Sequence, residues 1–285
     1  MKTKTLRRLA GLTRRYDRYD SPIRYRLTRS LLKLVYGERS PESSHQLVVP
    51  YDEGLFLVNT RFNFDCHILF KGYFEPGVAS FIKKAVRPGD TCLDIGANSG
   101  CHTLVMAHAA GREGRVVALE PQPSVAGHLR RNVRLNRLDN VTVVEAALTA
   151  QAGEVEFYAP SANARNSGIA GLRPARNTTE RIRTKGLSGR TLVADYHIQS
   201  CDLMKIDVEG AEMICLLALA DLIEQHRPVL IVEYRKELWD KFGYSIQSAM
   251  EMFRSLEYDM YFEKHDLIRP LDGAPAWACN LIAMA

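Results

Sequence analysis

The residues with the clearest chemical signature form the loop Asp94-x-Gly96-x-Asn98-x-Gly100, and an acidic residue, Glu120, stands twenty positions after the last glycine. A loop of small residues lets a ligand approach backbone N–H groups closely. An acid at this distance is typical of the residue that binds the ribose hydroxyls of a nucleoside-containing cofactor. The spacing therefore predicts a cofactor site in residues 94–100, the glycine loop. The alternative is a tight strand-to-helix turn whose glycines serve packing alone.

Two of these residues discriminate between cofactors. A dinucleotide site has the pattern Gly-x-Gly-x-x-Gly, which places a pyrophosphate against a helix N-terminus. Asp94 would put negative charge near that phosphate, and Asn98 stands where the middle glycine would be. An acid suits a cationic ligand better, so the loop predicts S-adenosylmethionine. An NAD-dependent oxidoreductase stays open as the alternative.

Acidic side chains also lie at the ends of two predicted strands further along the sequence. Asp207 ends one strand, Glu209 follows it after one residue, and Glu233 ends the next. Ligands bind at the carboxyl ends of parallel strands, so these three acids are candidate catalytic residues. Carboxylates this close should repel one another and raise at least one pKa, which suits a general base for an acceptor hydroxyl. Glu209 is alternatively an ordinary acid at a helix N-terminus, and His265 is a weaker candidate base.

Strands that alternate with helices must position these residues. Short apolar runs predict buried strands, and longer apolar or amphipathic runs between them predict helices. The predicted strands are a hairpin of 46–49 and 55–58, then 91–95, 115–119, 141–147, an edge-like 154–158, 202–207, 228–232, 258–262 and 278–283. This order predicts an α/β fold with a doubly wound, mostly parallel seven-stranded sheet and an antiparallel edge strand.

The chain divides into a basic arm and one large domain. Residues 1–45 are predicted to be a partly helical arm and linker, and residues 46–285 the domain. Within the domain, 46–71 is a hairpin region and 159–190 an irregular loop that varies with the substrate. Residues 1–35 carry eleven Lys and Arg against two Asp, a net charge of +9, and contain a helical apolar repeat. We expect this segment either to dock on the domain or to contact anionic lipid or a lipid-linked acceptor.

Composition sets further expectations. The chain has 285 residues, of which 46% are hydrophobic and 25% charged, as in an ordinary globular protein. Six scattered cysteines without a Cys-x-x-Cys pair predict buried, reduced thiols and a cytoplasmic protein, with peripheral membrane contact through the arm as an addition. No metal site is expected, since the eight histidines show no His-x-x-x-His spacing. The arm lacks a recognised nucleic-acid motif, so no nucleic-acid partner is expected.

Two segments together resemble a known family. The glycine loop, combined with Lys-Ile-Asp-Val-Glu-Gly-Ala-Glu at 205–212, resembles the FkbM family of S-adenosylmethionine-dependent methyltransferases. The likeness runs from about Gly72 to Asn280 and includes Gly-Tyr-Phe-Glu-Pro at 72–76. It implies a class I methyltransferase fold, Rossmann-like, and commonly O-methylation of hydroxyls on sugars or natural products. The expected partner is therefore a small-molecule or carbohydrate acceptor, including a glycolipid.

The resemblance also implies roles for individual residues. The four named positions of the glycine loop would line the methionine part of the donor, and Glu120 would bind its ribose. Glu145 and Ala146 would lie near the adenine, and Asp207 and Glu209 beside the methyl group.

A domain that binds a nucleoside without catalysis, tethered to a membrane by the arm, is a further alternative.

Two other residues carry open questions. Glu75, in an aromatic setting before a predicted helix, is either an ordinary helix-entry acid or a wall of the pocket. Cys101-His102 follows the glycine loop where an aromatic residue is frequent in the family, so the floor of the pocket is expected to differ from the family pattern.

Overall fold

The computed structural model describes most of the residues that follow the basic arm. The described residues are 46–60, 62–159, 171–173, 180–264, 267–271, 273, 275 and 278–285. The arm, most of the predicted substrate loop and His265 lie outside them.

The described part of the protein begins with a hairpin and two helices and then alternates strands with helices. The N-terminal elements are β1 (Gln46–Tyr51), β2 (Gly54–Asn59), α1 (Asn63–Lys71) and α2 (Pro76–Ala85). The central elements are β3 (Thr91–Ile95), α3 (Cys101–Ala110), β4 (Arg115–Leu119), α4 (Pro123–Leu135), β5 (Val141–Val144), β6 (Ala147–Leu148), β7 (Gly153–Ala159), β8 (Glu180–Leu187) and α5 (Gly189–Asp195).

The C-terminal third completes the alternation and ends in strands. Its elements are β9 (Leu203–Ile206), α6 (Glu212–Ala218), α7 (Ala220–His226), β10 (Val229–Tyr234), α8 (Lys236–Trp239), a 3₁₀ turn (Asp240–Phe242), α9 (Ile246–Ser255), β11 (Asp259–Lys264), β12 (Leu267–Pro270) and β13 (Cys279–Met284).

The main sheet has the order β12-β11-β13-β10-β9-β3-β4-β5. Strands β10, β9, β3, β4 and β5 are parallel, whereas β13 runs antiparallel to β10 and β11, and β11 antiparallel to β12. The strand order reverses between β3 and β9, as in a doubly wound sheet. The predicted fold class is confirmed. The sheet has eight strands rather than seven, because β12 pairs on the outer side of β11. All four β12 residues are exposed, so no apolar run marked it in the sequence.

A second, three-stranded sheet has the order β6-β8-β7 and changes two predictions. The predicted edge strand 154–158 lies in β7 of this small sheet rather than at the edge of the main one. Part of the predicted loop 159–190 is strand, since 180–186 pairs antiparallel with 153–159. Most residues in the first half of β8 are charged and exposed, and the buried ones lie near its end. The segment therefore has no apolar run, and its sequence resembled a loop.

The core lies on both faces of the main sheet. In β3, Leu93 and Ile95 pack into one apolar cluster, whereas Cys92 packs into the other. Burial on both faces explains the continuous apolar runs of the central strands. All six cysteines are buried thiols outside any disulfide. Within the described ranges, no helix has the length and apolar character needed to cross a membrane.

Candidate functional site

A cavity opens at the carboxyl ends of β3, β4, β9 and β10, around the point where the strand order reverses. This is where open α/β sheets bind ligands. The cavity brings together residues that are more than 130 positions apart in the sequence. The sequence-predicted residues that line it are Asp94, Gly96, Asn98, Glu120, Ala146, Asp207, Glu209 and Glu233.

Asp94 lies near the end of β3 and is 1% exposed. Its Oδ2 accepts a hydrogen bond of 2.5 Å from Oγ1 of Thr103, whereas its Oδ1 has no hydrogen-bond partner in the described part of the protein. Burial raises the pKa of Asp94, and the nearby Lys205 ammonium opposes that rise. The carboxyl therefore offers one unused acceptor atom to a ligand in the cavity.

The glycine loop has a backbone that larger residues would strain. Gly96 has φ +85°, and a Cβ built on it would lie 1.8 Å from the backbone oxygen of Asp207. Asn98 also has a positive φ, of 50°, and its Oδ1 accepts a hydrogen bond from Ser99 N at 2.8 Å. Asn and Gly are the residues that tolerate this backbone region best. The loop is thereby held against the end of β9.

Glu120 connects the end of β4 to the glycine loop. Its Oε2 accepts a hydrogen bond from Asn98 N at 3.0 Å, and its Oε1 accepts one from Gln122 N at 2.9 Å. Burial raises the pKa of Glu120 to about 7, and the two backbone N–H donors oppose the rise. The carboxylate is thus fixed in orientation and keeps lone pairs available to hydroxyl donors.

A buried polar network, which sequence reasoning missed, holds the glycine loop at Ser99. Asp65, in α1, accepts hydrogen bonds from Asn59 N at 2.7 Å and from Ser99 Oγ at 2.9 Å. Nε2 of His128, in α4, lies 2.8 Å from Asp65 Oδ2, and both side chains are fully buried. Asn132 donates to the backbone oxygen of Ser99 at 2.8 Å. Asp65, Ser99 and His128 are too far apart in the sequence to form a motif.

Ion pairs join the acids on the other side of the cavity to two basic residues. Nζ of Lys205, a buried residue of β9, lies 2.8 Å from Oδ2 of Asp207. Arg235 Nη1 lies 3.3 Å from Oε2 of Glu209, which has φ +56°. Glu233 lines the cavity beside them. The three predicted catalytic acids therefore do converge.

The electrostatics of these acids match the expected rise in pKa, although the main cause differs. Burial raises the pKa of Glu209 to about 8 and that of Glu233 well above its usual range, and the charge of Asp207 adds to both shifts. From the sequence, only repulsion between the carboxylates was expected to raise a pKa. Removal of these carboxyls from water contributes more to the rise in pKa than repulsion does.

Aromatic and polar side chains form a further part of the cavity wall. The rings of Phe64 and Phe74 lie 4.2 Å apart, and Glu75 and His102 line the cavity beside them. His102 Nε2 lies 3.6 Å from Glu75 Oε2, and burial holds the pKa of His102 well below its usual range, so the ring is neutral. Glu75 stands at the entry of α2, yet its side chain makes no cap. Of the two interpretations of Glu75, the pocket wall is the one supported.

Two predicted cofactor residues do not line the cavity. Gly100 begins α3 with φ +95°, and a Cβ there would lie 2.3 Å from Leu129 Cδ1, so it serves the turn and the packing of α4. The side chain of Glu145 is exposed and lies 2.7 Å from Arg130 Nη1. Its neighbour Ala146 is buried and contributes to the wall.

The comparison with protein families gives one match that covers more than half of the sequence. The model described as the methyltransferase FkbM domain matches residues 94–260, which are 167 of the 285 residues. The match includes the glycine loop, Glu120 and all the strand-end acids.

Individual relatives are more distant. The protein-L-isoaspartate O-methyltransferase of Ignicoccus hospitalis is 38% identical over 68 residues, which are 24% of this chain and 32% of that protein. The hexuronic acid methyltransferase AglP of Haloferax volcanii is 24% identical over 164 residues, 55% of this chain and 61% of that protein. The chain thus spans about a third of the first relative and about three fifths of the second.

Solved structures with a related architecture include two methyltransferases. The methyltransferase FkbM of Methylobacillus flagellatus has a TM-score of 0.44 at 14% identity and covers 78% of this chain and 56% of that one. A SAM-dependent methyltransferase of Aquifex aeolicus has a TM-score of 0.40 at 13% identity and covers 74% and 89%.

Proposed function

The chain belongs to the methyltransferase FkbM family, and we propose that it transfers a methyl group from S-adenosylmethionine to a hydroxyl of a sugar, glycolipid or natural product. S-adenosylmethionine is the methyl donor of this family and the cofactor predicted from the glycine loop. The observation that carries the proposal is the position of Asp207. Its backbone N donates to Ile95 O at 2.9 Å, which places the acid beside the glycine loop and in the same cavity as Glu233.

The donor is proposed to lie along the glycine loop. Asp94, whose Oδ1 lacks a partner among the described residues, suits the cationic end of the donor. Gly96, Asn98 and Gly100 shape the loop around its methionine part, and Glu120 accepts hydrogen bonds from the ribose hydroxyls. The adenine would lie against Ala146, with the backbone of Glu145 rather than its exposed carboxylate nearby.

Methyl transfer from a sulfonium is an in-line displacement. The acceptor oxygen forms a bond to the methyl carbon, the carbon–sulfur bond breaks with its electron pair on sulfur, and the hydroxyl proton leaves to a base. Alignment of oxygen, carbon and sulfur contributes on the order of 7–11 kcal/mol. A general base contributes typically ~10²–10⁴-fold. Asp207 is proposed to orient or deprotonate the hydroxyl, with Glu209 and Glu233 as its neighbours in the site.

The chemistry of the cavity favours a sugar as acceptor. Phe64 and Phe74, whose rings are tilted by 49°, provide an apolar surface for the C–H face of a ring, and the carboxylates of the cavity would accept hydrogen bonds from its hydroxyls. The relative from Haloferax volcanii is named as a hexuronic acid methyltransferase, which supports the same class of acceptor. Arg235, on the cavity wall, provides a positive charge that a uronic acid would contact.

The test is a methyl-transfer assay with an unbiased set of acceptors. The protein is incubated with labelled S-adenosylmethionine and an extract of host glycans and glycolipids, together with neutral and uronic acid glycosides, and the products are identified by mass spectrometry. We expect a product heavier by one CH₂ unit for each methyl group placed on a hydroxyl oxygen. Binding of NADH instead of S-adenosylmethionine would support the oxidoreductase. Binding of S-adenosylmethionine without turnover on any acceptor would support a nucleoside-binding module.

A further inference from the structure

We propose that Asp207, Glu212 and Glu233 form a binding site for a divalent cation. One carboxylate oxygen from each residue lies within 4.8 Å of the other two. The three side chains come from separate places: Asp207 follows β9, Glu212 begins α6 and Glu233 lies in β10. The cluster adjoins the cavity, since both Asp207 and Glu233 line it.

Burial and backbone hydrogen bonds hold the Glu212 side chain in one position. It is 0% exposed, and its Oε1 accepts hydrogen bonds from the backbone N atoms of Val208 and Gly210, both at 3.0 Å. Its Oε2 is buried and has no hydrogen-bond partner among the residues that the structure describes. A buried polar atom without a partner is costly, and charged groups suffer most. A cation bound by this oxygen would give it a partner.

The acids around the cluster outnumber the basic side chains, which also favours a cation. Four acids, Asp207, Glu209, Glu212 and Glu233, face two basic side chains. Lys205 pairs with Asp207, and Arg235 pairs with Glu209. If all four acids are ionised, the group carries two excess negative charges, which one divalent cation balances.

The donor atoms indicate which ion fits. Three carboxylates and no sulfur or imidazole favour a hard cation, Mg²⁺ or Mn²⁺, with Ca²⁺ as a larger alternative. At metal–oxygen distances of about 2.1 Å, opposite ligands of an octahedral Mg²⁺ lie about 4.2 Å apart. Small side-chain adjustments therefore suffice to bring the three oxygens onto one ion.

The open coordination positions would face the cavity. This part of the inference rests on the proposed function: two neighbouring hydroxyls of a sugar would bind the ion, and one of them would be the methyl acceptor. A metal-bound hydroxyl loses its proton more readily than a free one. Asp207 would then orient the hydroxyl through the ion, and the proton would leave to a base as in the reaction proposed above. The electron balance of the methyl transfer is unchanged, because the ion is not oxidised or reduced.

The test measures metal binding in the absence of donor and acceptor. The full-length protein is treated with EDTA, desalted and titrated with Mn²⁺, and the free ion is followed by electron paramagnetic resonance. We expect one Mn²⁺ per protein molecule, displaced by Mg²⁺. Glu212→Gln and Glu233→Gln, tested separately, should each weaken binding by at least about tenfold, because each replaces a charged ligand oxygen. The matched control is Glu237→Gln, an exposed acid of α8, which should bind Mn²⁺ as the parent does.

Circular dichroism confirms that each variant is folded, and binding of S-adenosylmethionine is measured in parallel. Absence of a Mn²⁺ site, or Mn²⁺ binding that is unchanged in both variants, would overturn the proposal. Methyl transfer that persists in EDTA would overturn the role of the ion in binding the acceptor, while leaving the cation site and the proposed function intact. Failure to bind S-adenosylmethionine would instead overturn the proposed function, whatever the Mn²⁺ titration gives.

Discussion

Gly96 lies directly against the backbone of Asp207, so that a Cβ built on the glycine would come within 1.8 Å of the Asp207 carbonyl oxygen. The loop proposed to bind the donor and the residue proposed to bind the acceptor are thereby packed together without an intervening side chain. Any change that separates the ends of β3 and β9 should therefore affect both substrates.

We expect Gly96→Ala to weaken donor binding at least about tenfold and to destabilise the protein by ~1–3 kcal/mol, the scale of a strained backbone conformation. The new Cβ would meet backbone that has no free space to move, and φ +85° adds strain. Calorimetric titration with S-adenosylmethionine and thermal unfolding measure the two effects. The control is Gly127→Ala, in α4, where a Cβ meets nothing within 4 Å. That change should be neutral or stabilise by roughly 0.5–1 kcal/mol. Normal donor affinity in Gly96→Ala would contradict the placement of the donor.

Glu120→Ala should weaken S-adenosylmethionine binding by about 1–3 kcal/mol, the scale for losing hydrogen bonds to a charged group. Isothermal titration calorimetry of the folded variant measures the change. Glu145→Ala serves as the comparison, because its carboxylate is exposed and paired with Arg130. It should leave donor affinity nearly unchanged. An equal loss in both variants would mean that the Glu145 side chain does reach the adenine.

Donor binding should weaken as the pH falls through about 7, the pKa to which burial raises Glu120. Only the ionised carboxylate accepts two ribose hydrogen bonds, so affinity at pH 6 should be about tenfold lower than at pH 8. The groups that face Glu120 are the N–H groups of Asn98 and Gln122 and the charges of Asp94 and Asp207. In Glu120→Gln this pH dependence should largely disappear, and a parent protein with flat affinity between pH 6 and 8 would contradict the assignment.

The stability of the ligand-free protein should show the opposite slope. A carboxyl whose pKa is higher in the folded state than in the unfolded state binds more protons when folded, so its contribution is present at low pH and lost as the pH rises through about 7. Glu120 should therefore stabilise the protein more at pH 5 than at pH 8, which thermal unfolding of parent and Glu120→Gln at both values checks.

Asp207→Asn should lower kcat by roughly 10²-fold or more, the usual contribution of a general base, while donor affinity changes little. Asparagine keeps the shape of the side chain but takes no proton at neutral pH. Steady-state kinetics with the acceptor identified in the glycan screen provide the measurement. Full activity would remove Asp207 from the reaction. Loss of donor binding would make it a cofactor residue, and Glu233 or His265 would be the next candidates for the base.

The basic arm, which lies outside the described residues, should bring the protein to anionic surfaces. Residues 1–35 carry a net charge of +9, and each basic residue near such a surface contributes about 1 kcal/mol. Flotation with anionic liposomes, at low and high salt, compares the full-length protein with a variant lacking residues 1–35. Equal recovery of both proteins, insensitive to salt, would leave only the interpretation of a helix that docks on the domain.

The sequence by itself predicted the loop and the acid that line one part of the cavity. The glycine loop and Glu120 belong to one contiguous strand–loop–helix–strand unit, and the hydrogen bond from Asn98 N to Glu120 arises within it. Local spacing is enough to place such residues, because adjacent parallel strands joined by one helix leave little freedom in their relative position. The family of the protein followed from the same segment and from 205–212.

Only the tertiary structure decided what surrounds that unit. The contact of Gly96 with Asp207 and the buried pair of Asp65 and His128 join segments that are distant in the sequence, and the tertiary structure also adds Glu212 to the strand-end acids Asp207 and Glu233. The small sheet of β6, β7 and β8 was missed for the same reason. Side-chain periodicity shows which face of a strand is buried, but it does not show which strand lies beside it. The pairing of β3 with β9, more than 100 residues later, depends on how all the strands pack into one core.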